Sequence, residues 1–269
     1  MSLHINNLTV TTSTGRTLLN NITWNVEKGD RLGIIGESGS GKSLTAQAIL
    51  GLLPQGMNAT GSITLNGQEL LHAPEKTLRT IRGNTIAMVF QEPLTALDPL
   101  MKISKQIAGP LNLHTTYNKR RINERAHELL ELVALRDTSR ILNSYPWQLS
   151  GGQRQRVSIA MALACTPEIL IADEPTTALD VTVQAEILEL LHTVMDETGT
   201  TLVFVSHDLP VISRIAHDLV VMKDGNVVEK TTVTQALKQP AHPYTSQLLT
   251  AAREVSQLPT PHDQNGNSL

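Results

Sequence analysis

Gly36-Glu-Ser-Gly-Ser-Gly-Lys-Ser43 follows a short apolar run, Arg31-Leu-Gly-Ile-Ile35, and precedes a helix-compatible stretch at 44–52. It fills every fixed position of the phosphate-loop pattern G-x-x-x-x-G-K-[ST]. The residue types answer to chemistry. Gly39 and Gly41 let backbone N–H groups turn inward to cradle phosphate oxygens, and the following helix N-terminus adds partial positive charge. Lys42 reaches the β- and γ-phosphates as a point charge, and the Ser43 hydroxyl serves as a Mg²⁺ ligand. Gly36, Glu37, Ser38 and Ser40 complete the loop. A plain Gly/Ser surface turn would not need a strand before it and a helix after it, so the stretch predicts a nucleoside triphosphate site.

A second apolar strand, Ile169-Leu-Ile-Ala172, delivers Asp173 and Glu174 at its C-terminal end, where ligands sit in open α/β sheets. Asp173 is the candidate to hold Mg²⁺, usually through water, and Glu174 the candidate general base toward an attacking water. Charged pairs commonly end strands; it is the upstream phosphate loop that makes this one informative.

Outward from these two anchors, residues 3–10, 22–26 and 62–67 read as strands and turns. Apolar residues at 122, 126, 129, 130 and 133 have helical spacing, and 158–164 continues as an apolar helix behind a Ser-Gly-Gly start. Then strands at 168–172, 201–205 and 218–222 alternate with helices at 183–195 and 209–216. Such alternation implies a largely parallel sheet covered on both faces, interrupted by a helical section. There is no internal repeat. The 269 residues are 40% hydrophobic and 17% charged with a net charge of −3, enough for a sizeable core and without the basic excess that would point to nucleic acid. The single cysteine, Cys165, excludes an intrachain disulfide framework and a cysteine-rich metal site. The longest apolar stretch, 159–165, falls far short of the roughly 18 residues of a membrane span, and the N-terminus lacks signal-peptide character. The expectation is a soluble intracellular protein with a fraying tail at 251–269.

Leu149-Ser-Gly-Gly-Gln153, followed by Arg154-Gln-Arg156, resembles the signature of the ATP-binding cassette (ABC) family. Gln91 in Val89-Phe-Gln-Glu-Pro93 matches its Q-loop, Ala178-Leu-Asp180 its D-loop and His207 in Val205-Ser-His-Asp208 its switch histidine, all in family order from about residue 3 to about residue 250. The resemblance implies an α/β P-loop nucleotide-binding domain with an antiparallel β subdomain and an inserted helical subdomain at roughly 92–160. It further implies that two cassettes meet head to tail. Ser150, Gly151 and Gly152 would then contact the γ-phosphate held by the partner, with Leu149 and Gln153 flanking them and Asp180 at the dimer contact. His207 would meet the γ-phosphate and attacking water, and Gln91 would bind Mg²⁺ and sense a membrane partner.

Within the family, residues 41–45, 49–54 and 90–99 and His242-Pro-Tyr-Thr245 look like the dipeptide/oligopeptide/nickel importer branch, and the chain resembles its D-type ATPase. That implies two permease subunits, a second ABC ATPase chain (a different one, with an identical one as the alternative), an extracytoplasmic solute-binding protein, and a peripheral place on the cytoplasmic side of the inner membrane. The solute is nickel or another chelated metal, favoured by the lack of a cysteine-bearing C-terminal extension, or a short peptide. The rival classes are a soluble non-transport ABC ATPase, a P-loop kinase, and a nucleotide-gated structural subunit. Tyr145 and Trp147 either flank a groove for a permease helix or pack within the helical subdomain.

One departure from the family stands out. Its usual adenine-stacking aromatic after the first strand is replaced here by Val10-Thr-Thr-Ser-Thr14, and Trp24 suits the core better than a base platform. Weaker base discrimination with some GTP use is expected. Thr12→Tyr should therefore tighten ATP binding by about fivefold or more, given what one aromatic–base stack contributes. An unchanged nucleotide dissociation constant would count against that placement.

Overall fold

The computed structural model describes residues 1–91, 96–177 and 179–255. Strands β1 (Ser2–Thr12), β2 (Thr17–Glu27), β4 (Met57–Leu65) and β5 (Gln68–Glu69) form an antiparallel sheet in the order β2-β1-β4-β5. Its inward face carries Leu3, Ile5, Leu8 and Val10 from β1 and Ile22, Trp24 and Val26 from β2, all buried. The step from Ile5 to Leu8 is three residues, which in a regular strand would turn Leu8 outward. The register shift there, with Asn7 at φ 50°, absorbs the extra residue and returns Leu8 to the core. Trp24 is 1% exposed and has no face to offer a base.

The second sheet has six strands in the order β10-β9-β3-β8-β7-β6: β3 (Arg31–Ile35), β6 (Ile86–Val89), β7 (Ile169–Asp173), β8 (Thr201–Ser206), β9 (Asp218–Lys223) and β10 (Asn226–Thr232). All pair in parallel except β10, which returns antiparallel on β9. Side chains alternate between two cores. Leu32, Ile34, Ile169, Ile171, Val203 and Val205 pack toward the antiparallel sheet and α1 (Lys42–Ile49). Ile35, Leu170, Ala172, Leu202 and Phe204 pack toward helices on the other face. Burial on both faces is why these strands read as unbroken apolar runs.

The remaining helices are α2 (Glu75–Ile81), α3 (Ile103–His114), α4 (Lys119–Leu132), α5 (Thr138–Asn143), α6 (Gly151–Ala162), α7 (Val181–Thr198), α8 (Leu209–Ser213), α9 (Val233–Lys238) and α10 (Pro243–Val255). Helices α3 to α6, which follow β6 and precede β7 in the chain, pack on one another. The helix expected over 158–164 begins at Gly151, behind the Ser-Gly-Gly start, and stops at Ala162. The helix expected over 209–216 stops at Ser213. The expected tail at 251–269 is helical at its start, since α10 runs to Val255; residues 256–269 lie outside the described residues. Among the described residues no helix is long and apolar enough to cross a membrane.

Helix α8 lies directly on β3 at Gly33. A Cβ built there would stand 2.5 Å from Ile212 Cγ2 and 3.2 Å from Ala216 Cβ. Gly33→Ala should therefore cost about 1–3 kcal/mol by overpacking, or roughly 2–12 °C in Tm for a chain of this size. With Ile212→Ala the combined loss should be less than additive, as a double-mutant thermal series would show.

Candidate active site

Four neighbouring strands of the parallel sheet end at one edge, and each delivers a group there. Beyond β3 runs the phosphate loop into α1, β7 ends in Asp173 and Glu174, Ser206 at the end of β8 leads to His207, and Gln91 follows β6. The loop, Glu174, His207 and Gln91 line a cleft of about 700 Å³, which Asp173 adjoins through its contact with Ser43. The loop's shape depends on its glycines. Gly41, at φ 100°, sits where a Cβ would lie 2.4 Å from Leu19 Cδ2, and a Cβ on Gly36 would meet the Met222 carbonyl oxygen at 2.1 Å. Glu37, Ser38 and Gly39 face the cleft, while Ser40 is buried and its carbonyl accepts from the Gly225 amide at 3.1 Å. The first amides of α1, beginning at Lys42, lack intrahelical acceptors by the geometry of a helix start, so an anion in the cleft would meet them.

Lys42 is 4% exposed. Its Nζ donates to the carbonyl oxygens of Gly36 at 2.7 Å and Glu37 at 3.0 Å and stands 3.9 Å from Glu174 Oε1. Burial pushes its ammonium below the ordinary lysine range, and the Glu174 and Asp173 carboxylates pull the other way. Ser43 Oγ donates to Asp173 Oδ1 at 2.9 Å. Burial raises the Asp173 carboxyl above its usual range; the Ser43 bond opposes that rise and the neighbouring Glu174 charge adds to it.

Glu174 is the focus of the cleft. Its Oε2 accepts from Gln91 Nε2 at 3.2 Å and from Thr177 Oγ1 at 2.9 Å, and lies 3.2 Å from His207 Nδ1. Its backbone sits at φ 46°, in the left-handed region that costs a non-glycine residue roughly 1–2 kcal/mol. Its amide is fixed by the Val205 carbonyl at 2.9 Å. The sequence had singled out Gln91, Glu174 and His207, and the fold brings all three together from separate strands.

Leu149, Ser150, Gly151, Gly152 and Gln153 do not line this cleft. Leu149 is buried, and Ser150 caps α6 in a capping box: its Oγ accepts from the Gln153 amide at 3.3 Å, and Gln153 Oε1 accepts from the Ser150 amide at 3.1 Å. A Cβ on Gly152 would lie 2.8 Å from Val183 Cγ1, so this helix start packs against the start of α7. Asp180 caps α7, its Oδ1 accepting from the Val183 amide at 3.0 Å. Ala178 of the predicted D-loop lies outside the described residues, as do 92–95 in the segment after Gln91. The Tyr145 and Trp147 rings stack with centroids 6.1 Å apart, and Trp147 is exposed.

Sequence reasoning missed Thr177, Leu18 and Leu248, which also line the cleft. Thr177 carried a local signal, a hydroxyl three residues after Glu174. Leu18 and Leu248 had none, because only the fold places β2 and α10 beside the loop.

A phosphate loop with its lysine buried, facing a carboxylate pair on the next strand but one of the sheet, defines a P-loop nucleoside triphosphatase. Residues 19–177 match the family described as "ABC transporter". The chain is 47% identical over 233 residues to the probable peptide ABC transporter ATP-binding protein y4tR of Sinorhizobium fredii, covering 86% of this chain and 70% of that one. It is 46% identical over 230 residues to the oligopeptide transport ATP-binding protein OppD of Bacillus subtilis, covering 85% of this chain and 64% of that one. Among solved structures, the post-hydrolysis dimer of the ATP-binding cassette MJ0796 bound to ADP and Pi matches with a TM-score of 0.76 at 33% identity, over 86% of this chain and 98% of that one. The chain belongs to the ABC transporter family, and its cassette is an ATPase.

Asp173 offers a test of the site's electrostatics. A carboxyl whose pKa is raised by folding binds its proton more tightly in the folded chain, so its contribution to stability is lost as pH rises through that window. Asp173→Asn should raise the Tm of the ligand-free chain by roughly 2–4 °C, as about 1 kcal/mol would give at this size. In melts from about pH 4 to about pH 8 the gain over wild type should grow as carboxylates ionise.

Proposed function

We propose that this chain is the ATP-hydrolysing subunit of an ABC importer that brings short peptides across the cytoplasmic membrane. The observation that carries the reading is its identity, 47% and 46%, to subunits named for peptide and oligopeptide transport. Those names favour the peptide alternative over nickel or a metal chelate. The assembly proposed is two permeases, a second ABC ATPase chain and an extracytoplasmic solute-binding protein, with this chain peripheral on the cytoplasmic side. In it, residues 3–250 act as the cassette and the section at roughly 92–160 as its helical lobe.

In the working cycle Lys42 turns its ammonium from the Gly36 and Glu37 carbonyls, which hold it now, to the β- and γ-phosphates. Ser43, Asp173 and Gln91 are the residues that would hold Mg²⁺. They fit a hard cation that takes oxygen ligands, with one or two carboxylates beside phosphate oxygens: a hydroxyl, a buried carboxylate already in contact with it, and an amide oxygen. When bound, Mg²⁺ offsets the charge of the β- and γ-phosphate oxygens. Glu174 takes the proton of the attacking water as general base, with Thr177 and His207 fixing the carboxylate's direction. Leu149, Ser150, Gly151, Gly152 and Gln153 present the start of α6 to the ATP held by the partner cassette, and Asp180 sits at that interface.

The test is uptake in a strain lacking the gene, complemented by wild type or by Glu174→Gln. A labelled dipeptide and tripeptide should lose uptake in the null strain and regain it with wild type only. The glutamine variant should give a rate reduced about a hundredfold or more, as loss of a general base requires. Intact peptide uptake beside lost nickel uptake would overturn the peptide assignment.

A further inference from the structure

The segment His242-Pro-Tyr-Thr245 plays no part in the chemistry described above, yet its contacts lead into the phosphate loop. Glu229 of β10 is buried, and its carboxylate accepts from the amides of Ala241 at 3.1 Å and His242 at 2.9 Å and from Thr245 Oγ1 at 2.6 Å. Burial pushes that carboxyl up, but the Thr245 hydroxyl and the two amides outweigh it and hold it below the usual range. The segment is therefore pinned to the sheet by an ionised group. Pro243 occupies the first helical position of α10, where its missing N–H is harmless, and His242 Nδ1 accepts from the Tyr244 amide at 3.1 Å.

This clamp sets the direction of one side chain. Tyr244 is 3% exposed, its ring lies under Lys223 with Nζ 4.7 Å from the centroid, and its hydroxyl oxygen accepts from the Glu37 amide of the phosphate loop at 3.0 Å. The same peptide region supplies a carbonyl that holds Lys42. One turn further along α10, on the same face, Leu248 forms a wall of the cleft.

We propose that Tyr244 is a positioning residue for nucleotide binding: the Glu229 clamp aims its hydroxyl at the Glu37 amide, fixing the start of the phosphate loop and seating Leu248 against the bound nucleotide. The inference rests on the nucleotide reading of the cleft. It makes the C-terminal helix part of the ATP site rather than an appendage to the sheet.

Tyr244→Phe keeps the ring beneath Lys223 and removes only the acceptor oxygen. With the purified full-length chain, the Kd for ATP should rise about three- to tenfold, the range set by losing one ordinary hydrogen bond. Tm should move by no more than about 2 °C, and hydrogen exchange should quicken at the Glu37 amide but not along α10. Leu248→Ala should also weaken ATP binding while leaving exchange at Glu37 as in wild type. An unchanged Kd with unchanged exchange at Glu37 in Tyr244→Phe overturns the proposal. So does faster exchange along the whole of α10 with a falling Tm, which would mark a packing role. Lys42→Ala in the same titration separates the two layers of the argument. If it too binds ATP like wild type, the nucleotide reading fails; if it alone loses binding, only the role of Tyr244 does.

Discussion

The cleft is organised around a buried ammonium. Lys42 sits among two loop carbonyls and, at 3.9 Å, the Glu174 carboxylate. Burying a lone cation is unfavourable unless its charge and donors are met, and here three groups from two chain segments meet them. That requirement fixes how far the phosphate loop stands from the end of β7, although β8 lies between β3 and β7 in the sheet. The parallel pairing of Ile35 with Ser206 and of Asp173 with Val205 keeps the three strand ends level, so that one lysine spans the gap. The glycines of the loop and the strained backbone at Glu174 both serve this approach.

Much of this was legible in the chain because the phosphate loop and the carboxylate pair are local patterns, each with its own strand. The double-sided burial of β3, β7 and β8 was legible for the same reason, as unbroken apolar runs. What escaped was set by tertiary contact. Strand β6 is four residues long, too short for periodicity to register, and owes its existence to pairing with β7. Strand β10 carries Glu229 inward, a residue type that argues against burial until Thr245 and the amides of Ala241 and His242, 12 to 16 residues further along the chain, satisfy it. Asp180 was expected at a dimer contact. Its side chain here caps α7, a bond that leaves the interface role to be tested with a partner present.

Glu174 shows how a site and a fold can pull against each other. Its φ of 46° and the raised carboxyl of the adjoining Asp173 are both unfavourable for the folded chain. The sheet tolerates them because Val205 holds the Glu174 amide and the surrounding strands are fully buried. Stability is concentrated in the two cores on either side of the sheet, and the strain lies at its edge.

The order of strands has a consequence for how such a chain can diversify. Strand β6 is the last in its sheet, and the excursion through α3, α4, α5 and α6 leaves from it and returns to its immediate neighbour, β7. Insertions, deletions or drift within α3, α4 and α5, short of the Ser150 cap that opens α6, therefore need not break a pairing between inner strands. A lineage can retune the surface of α3 to α5 to a new docking partner while the residues that line the phosphate cleft stay under separate selection. The edge strand works as a seam between a part free to vary and a part that is not.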